Sequence, residues 1–345
     1  MIGNIGDAGL LTRVISESAS TRRQIDALTQ QASTGRVSDT YGGLGAAART
    51  PLNLRPQLAS GERWQANIDA AQGRLGVTQA ALKGIGAIAA DFYARTNTLN
   101  GINPSNVDSV AASAREALKQ VAGLLNSRAG DAYVFAGQDT ANPPVPDPDG
   151  VLASPFFTGT QAAVAGLAAN GAAATAATTL GVAAGSSPFS GTSVGVPTIE
   201  VGEGEHVGVG LLADRNTLAA SAGGSTTGSY VRDLMRSLAT LGSLSSAQAA
   251  TPGFAALVGD TRDSLRGAIT AMSVETGALG DVQRSLSERR TLIGDQALAL
   301  RGQLSAVEDV DLAETLTRLT QRRTQLEASY QILSGLKDLS LTRFL

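Results

Sequence analysis

The longest regular alternation of apolar and polar positions runs from Leu265 to Val307. Steps of seven land on Leu265, Met272, Leu279, Leu286, Ile293, Leu300 and Val307, with Arg284, Arg289, Arg290, Asp295 and Arg301 between them. A helix with a seven-residue apolar repeat keeps one seam against a partner and turns the rest to water. At ~1.5 Å per residue such a helix would be roughly 64 Å long, so it needs a partner of similar length. Gly277 and Gly280 are the points where an interruption is expected. The plain alternative is a long core helix of an ordinary bundle.

The partner is found upstream. From about Leu54 to Leu99, one slot holds Ile68, Leu75, Leu82 and Ala89; the other holds Trp64, Ala71, Thr78, Ile85, Phe92 and Leu99. Both advance by seven, offset by three, the a/d pattern of a coiled coil. Gly101 and Pro104 end this helix, and a third begins near Ser105 with Val110, Ala114, Leu118, Val121 and Leu125. Ahead of these, residues from about Leu10 to Ala32 carry a weaker stripe of Leu11, Val14, Ile25, Leu28 and Ala32, with Ser18 and Thr21 in the middle slots. Such a helix is marginal alone and needs a partner to order it. A glycine-rich connector, residues 33–51, follows it.

Residues 131–137, DAYVFAG, read as a short strand, and four prolines between 143 and 148 mark a loop. Residues 196–201 and 206–209 alternate around Gly202-Glu203-Gly204 like a hairpin. The Ala- and Gly-rich stretch 161–185 reads as a loosely ordered loop. Helices resume near Ser229 with Tyr230, Leu234, Leu238 and Leu241. After Val307 the sequence VEDVDLAE holds Asp311 and Glu314 at capping-box spacing. The last helix then carries Leu312, Leu316, Leu319, Leu326, Tyr330 and Leu333, with Arg323 in the one missing slot.

The predicted fold is mainly α, a nested long-helix coiled coil or bundle built by the two halves of the chain around an inserted, small, mostly β domain. Residues 1–45 with 308–345 form a terminal helical layer. Residues 46–137 with 229–307 form a long-helix layer, and 138–228 are the insert. The seam of the long-helix layer is Ile68, Leu75, Leu82, Ile85 and Phe92 against Leu279, Leu286, Ile293 and Leu300.

Composition narrows the function. The chain has 345 residues, 43% apolar but only 4% aromatic, so its core is assembled from small aliphatic side chains. A net charge of −3 gives no bulk field for nucleic acid. Acidic Glu288 and Asp295 interrupt the arginines of the long return helix. With no Cys and one His, thiolate metal sites and most nucleophile–base pairs are excluded. Glu200, Glu203, Glu205 and His206 read as a solvated hairpin turn, and Asp139, Asp147 and Asp149 as turn formers among prolines. No catalytic, cofactor or metal residue is assigned; no run of 18 apolar residues is present, so no membrane span is expected. The first residues lack the pattern of a cleaved secretory signal.

Three segments resemble the bacterial flagellin superfamily. They are LTQQASTGR at 28–36, GALGDVQRSL at 277–286 and VEDVDLAE at 307–314. They are similar, in this order, to the end of the family's first helix, the turn into its long return helix and the junction before its last helix. The resemblance covers roughly 10–137 and 229–345. Residues 131–144, DAYVFAGQDTANPP, and the ending, LEASY at 326–330 through LSL at 339–341, resemble the hook-associated branch at the hook–filament junction. Filament flagellin is the alternative, since YGGLGA at 41–46 departs from the family's usual sequence after the first connector.

The resemblance implies a structural subunit outside the cell, exported without a cleaved signal peptide through the flagellar type III export apparatus with a chaperone. It implies a homo-oligomeric ring or tube contacting a hook-side hook-associated protein and flagellin, and neither nucleic acid nor membrane. Self-assembly would use the terminal helices through Leu11, Val14, Ile25, Leu28, Leu312, Leu316, Leu319, Leu326, Tyr330 and Leu333. A coiled-coil adhesin or scaffold with a ligand-binding insert is the reading from a different class. It has no need of amphipathic, weakly self-sufficient helices at both ends.

Overall fold

The computed structural model describes residues 5–99, 103–185, 187–191, 195–221 and 223–338, with side chains described between residues 12 and 334. The expected tail motif at 339–341 lies outside the described residues. The helices are α1 (Ile5–Thr34), α2 (Tyr41–Leu44), α3 (Arg49–Thr96), α4 (Pro104–Leu125), α5 (Pro155–Ala165), α6 (Leu167–Ala184), α7 (Tyr230–Gly242), α8 (Phe254–Glu308) and α9 (Leu312–Asp338). Strands β1 (Arg128–Ala129) and β2 (Ala132–Tyr133) form one antiparallel pair; β3 (Thr198–Gly202) and β4 (Glu205–Gly208) form another. The fold is mainly α, with two small two-stranded sheets.

The chain divides into two compact units. One comprises 1–62 and 294–345, the other 63–293. In the larger unit α3 and α8 run antiparallel. Arg290 meets Asp69 at 2.6 Å, and Arg266 donates to the Tyr93 hydroxyl at 3.3 Å. The expected seam is buried there: Ile68, Leu75, Leu82, Ile85 and Phe92 on α3, and Leu279, Leu286 and Ile293 on α8. Gly277 and Gly280 do not interrupt α8. A glycine in a helix costs ~1 kcal/mol relative to alanine, which the buried heptads on either side outweigh. Pro51, expected to close the connector, sits in the first turn of α3, where its missing N–H costs little.

The insert holds the expected hairpin, with Ile199 opposite Val207 and a bulge between Glu200 and Gly202. It also holds two helices, α5 and α6, where a loosely ordered loop is expected over 161–185. Alanine is the strongest helix former, and Ser154 caps α5 by accepting from the Phe157 N–H, with Pro155 in the first turn. Gly171, at φ 77°, bends α6 where a side chain would be strained. By length and composition alone α6 could cross a membrane; here it packs against α5 and α7.

Twelve of the thirteen residues of α7 are buried, because α4, α5 and α6 all pack against it. Its charged side chains are therefore answered by the insert and the segments that return from it. Arg236, 2% exposed, donates to Ser225 Oγ at 3.0 Å and Ser225 O at 3.2 Å, and pairs with Asp260 at 3.4 Å. Asp233 accepts from the Thr227 N–H and hydroxyl, both at 2.8 Å, and from the Thr226 hydroxyl. Arg232 donates to the Asp214 carbonyl at 2.8 Å and lies over the Phe189 ring. Burial pulls the Arg236 guanidinium below its usual range, opposed by Asp260 and Asp233. None of this is visible as a pattern in the sequence, where charges in a helix read as solvated.

Two outcomes test this core. Leu286→Ala should destabilise the chain by about 2–5 kcal/mol in urea unfolding, the range for a buried leucine truncated to alanine. Leu298→Ala, 70% exposed, should stay within about 0.5 kcal/mol. Equal losses would reject the seam.

Tyr230 is 1% exposed. Burial, then the Glu275 carboxylate, push its phenol well above the usual range. A phenol raised on folding contributes stability that is complete below its unfolded pKa of ~10. That stability fades as pH rises above this value toward the folded pKa. Denaturant midpoints measured from pH 8 to 11 should therefore fall less steeply for Tyr230→Phe than for the wild type. Parallel curves would mean that Tyr230 is not buried as neutral phenol.

Candidate assembly surface

The smaller unit is built on α1 packed along α9. Gly35, at φ 70°, ends α1 and makes the turn that brings the chain alongside the α8–α9 junction. Its carbonyl accepts from Val310 N at 2.9 Å, and Val37 N donates to the Glu308 carbonyl at 2.7 Å. Arg55 on α3 grips the Glu308 carboxylate at 2.8 and 3.0 Å and lies over the Tyr41 ring. Arg301 meets Glu62 at 2.9 Å. Asp311 caps α9 by accepting from Ala313 N at 2.8 Å and Glu314 N at 3.1 Å. Glu314 pairs with Arg318 one turn on, at 2.5 Å, so half of the expected box is formed by the acidic cap itself.

The α1 stripe advances in steps of four and three through Val14, Ser18, Thr21, Ile25, Leu28 and Ala32. Ser18 and Thr21 are its buried members, and the other four are half-buried. Leu11 lies in α1, but its side chain is outside those described. On α9 the matching stripe is Thr315, Leu319, Leu326, Ser329 and Leu333; Thr315 and Leu319 are buried and the rest half-buried. Here the structure departs from the single stripe expected. Leu312, Leu316 and Tyr330 are each about half exposed. Thr315 and Ser329 take the inner positions one residue earlier, about 100° round the helix. Thus α9 carries an inner stripe that meets α1 and an outer apolar stripe beside it. Gln24, Gln31, Arg318, Arg322 and Gln325 line a polar groove between the two helices.

The long seam also shifts at its end. Leu300 and Val307 are only half-buried, while Ala297 and Leu304 take over as buried positions. The strict seven-residue step gives way to a step of four after Ile293.

The two units differ most in what they leave in water. The continuous buried apolar cluster draws every member from 63–293. Among the described residues of the smaller unit the buried aliphatic side chains are Ala297, Leu304 and Leu319. Of eleven large apolar side chains exposed among the described residues, eight lie in the smaller unit. They include Ile15, Leu52, Leu298, Leu312, Leu316, Tyr330 and Ile332.

The acidic candidates serve turns and pairs. Glu205 meets Arg289 on α8, Asp139 accepts from the Asn142 amide at 2.9 Å and Asp147 from Gly150 N at 2.8 Å. Among the described residues no group of three or more His, Cys, Asp or Glu side chains is placed to hold a metal ion.

Residues 263–345 match the family model described as the bacterial flagellin C-terminal helical region. Among solved structures, the chain is similar to a protein from Vibrio parahaemolyticus described as a flagellar hook-associated protein. The TM-score is 0.52 at 12% identity, over 77% of this chain and 97% of that one, a likeness of fold. No curated protein matches the chain. The family-model match is confined to residues 263–345, and the likeness to the hook-associated protein is one of fold.

Proposed function

We propose that the chain is a non-enzymatic structural subunit of the bacterial flagellum that assembles through α1 and α9 and joins hook to filament. The observation that carries assembly is the smaller unit's incomplete core. Its inner stripes are partly Ser and Thr, its outer stripe of Leu312, Leu316 and Tyr330 is about half exposed, and among the described residues no large apolar cluster lies beneath. Burying one leucine stabilises by about 1.5–3 kcal/mol, and a ring or tube repeats that gain in every subunit. The partners of this reading are further copies of the chain, a hook-side hook-associated protein and flagellin. Export runs through the flagellar type III apparatus with a chaperone, so that the protein works outside the cell.

The junction role is supported by the segment at 131–144 and by the fold shared with a hook-associated protein. One observation favours filament flagellin instead, namely that the matched family model is flagellin's own. Cells lacking the gene separate the two. A junction subunit's loss leaves hooks without filaments and flagellin shed into the medium. Loss of the flagellin itself leaves bare hooks and no such shedding.

Leu316→Asp tests the assembly surface. It places a carboxylate on the outer stripe at a side chain already half exposed in the monomer, so the monomer should lose no more than about 1 kcal/mol. An unpaired carboxylate in a buried contact is costly, so the exported variant should leave hooks without filaments. Normal filaments in Leu316→Asp cells would remove the outer stripe from assembly.

A further inference from the structure

Glu275 lies within α8 and has no exposed surface. Its Oε1 accepts three consecutive backbone N–H groups, from Thr217 at 2.6 Å, Leu218 at 2.9 Å and Ala219 at 3.2 Å. Successive N–H groups converging in this way form an anion nest, here filled by the chain's own carboxylate. Two further side chains hold the same stretch. Asn216 Oδ1 accepts from Tyr230 N at 2.9 Å at the start of α7, and Arg232 on α7 donates to the Asp214 carbonyl at 2.8 Å.

Burial adds little to these bonds. Of the described residues from 214 to 228, Ala219 alone is buried. Leu211, Leu212 and Ala213 before them are buried, as are Ser229 and Tyr230 after them. Segment 214–219 is therefore fastened by polar contacts between two anchored ends. A stretch with few buried apolar contacts opens locally at lower free energy than the core beside it.

Three buried oxygens at this contact have no hydrogen-bond partner among the described residues. They are the second Glu275 oxygen, Oε2, the Tyr230 hydroxyl and Thr217 Oγ1. Thr217 N rests on the same carboxylate, which also acts on the Tyr230 phenol, so the three share one neighbourhood. A buried polar atom without a partner is costly, and in a native structure it calls for an explanation such as stored strain. Opening the segment returns these atoms to water. Glu275 Oε1 thus draws the segment shut, and the unpartnered oxygens favour its release.

We infer that segment 214–219 is a flap poised to open by itself, latched by Glu275 Oε1 and loaded by the unpartnered oxygens of Glu275, Thr217 and Tyr230. Opened, it bares the Glu275 side of α8 and the start of α7 while the helices stay packed. Ala219 is its one member of the continuous core, so little apolar contact is lost.

Amide exchange in the full-length chain at constant neutral pH reads the flap directly. In the wild type, the amides of 217–219 should exchange more slowly than the exposed hairpin turn at Glu203 and faster than Leu234 and Leu238 in α7. Leu286→Ala, in the seam of the long helices, should speed α7 and leave 217–219 at their wild-type rate, since the flap opens without the core. Thr217→Val and, independently, Tyr230→Phe should slow exchange at 217–219 about tenfold, as for relief of an unsatisfied buried group. Glu275→Ala should raise it toward the rate of the hairpin turn. Equal rates at 217–219 and in α7, raised alike by Leu286→Ala, would overturn the independent flap. Unchanged or faster exchange at 217–219 in both Thr217→Val and Tyr230→Phe would overturn the load on its latch.

Discussion

Two helices packed along each other can bury only one stripe apiece, and that limit governs the smaller unit. The α1 stripe places Ser18 and Thr21 in its most buried slots, where larger apolar side chains would contribute most. The α9 stripe meets it with Thr315 and Leu319. What the pair gains is small, and a second apolar stripe on α9 is left in water. Most of a helix's stability in a protein comes from tertiary packing of its apolar face. On the proposed function, neighbouring subunits supply the surface that completes this unit. The larger unit has no such deficit, because α7 is enclosed by α4, α5 and α6 and every member of the continuous core lies there.

The parts legible in the sequence were those in which period and burial coincide. Steps of seven along α3 and α8 selected Ile68, Leu75, Leu82, Leu279, Leu286 and Ile293, all buried. The same rule overreached at Leu300, because a straight α-helix drifts about 20° per heptad and Ala297 and Leu304 come round in its place. On α9 the leucines have the spacing of one stripe. An apolar residue beside the seam has the same spacing as one in it, and only the geometry of α1 shows that Thr315 and Ser329 face inward. A threonine that fills a core slot leaves no mark in a hydrophobic pattern.

The insert was least legible. Its alanine-rich stretch has no amphipathic period, so α5 and α6 could not be told from loop by pattern. Their partner surface is α7, in a later part of the chain. The buried charges of α7 and α8 were invisible for the same reason. Arg236, Asp233 and Glu275 look like solvated helix positions until the returning loop is laid over them. Buried polar groups become tolerable when each finds partners. Those partners are mostly backbone atoms, which leave no mark in the sequence.

Amide hydrogen exchange compared between monomer and assembly tests the dependence of α1 and α9 on neighbours most directly, since exchange reports local opening segment by segment. In the monomer, α7 and the middle of α8 should exchange slowly and α1 and α9 fast. In the assembly, α1 and α9 should become as protected as the larger unit. Protection of α1 and α9 in the monomer equal to that of α7, with no gain on assembly, would contradict the claim.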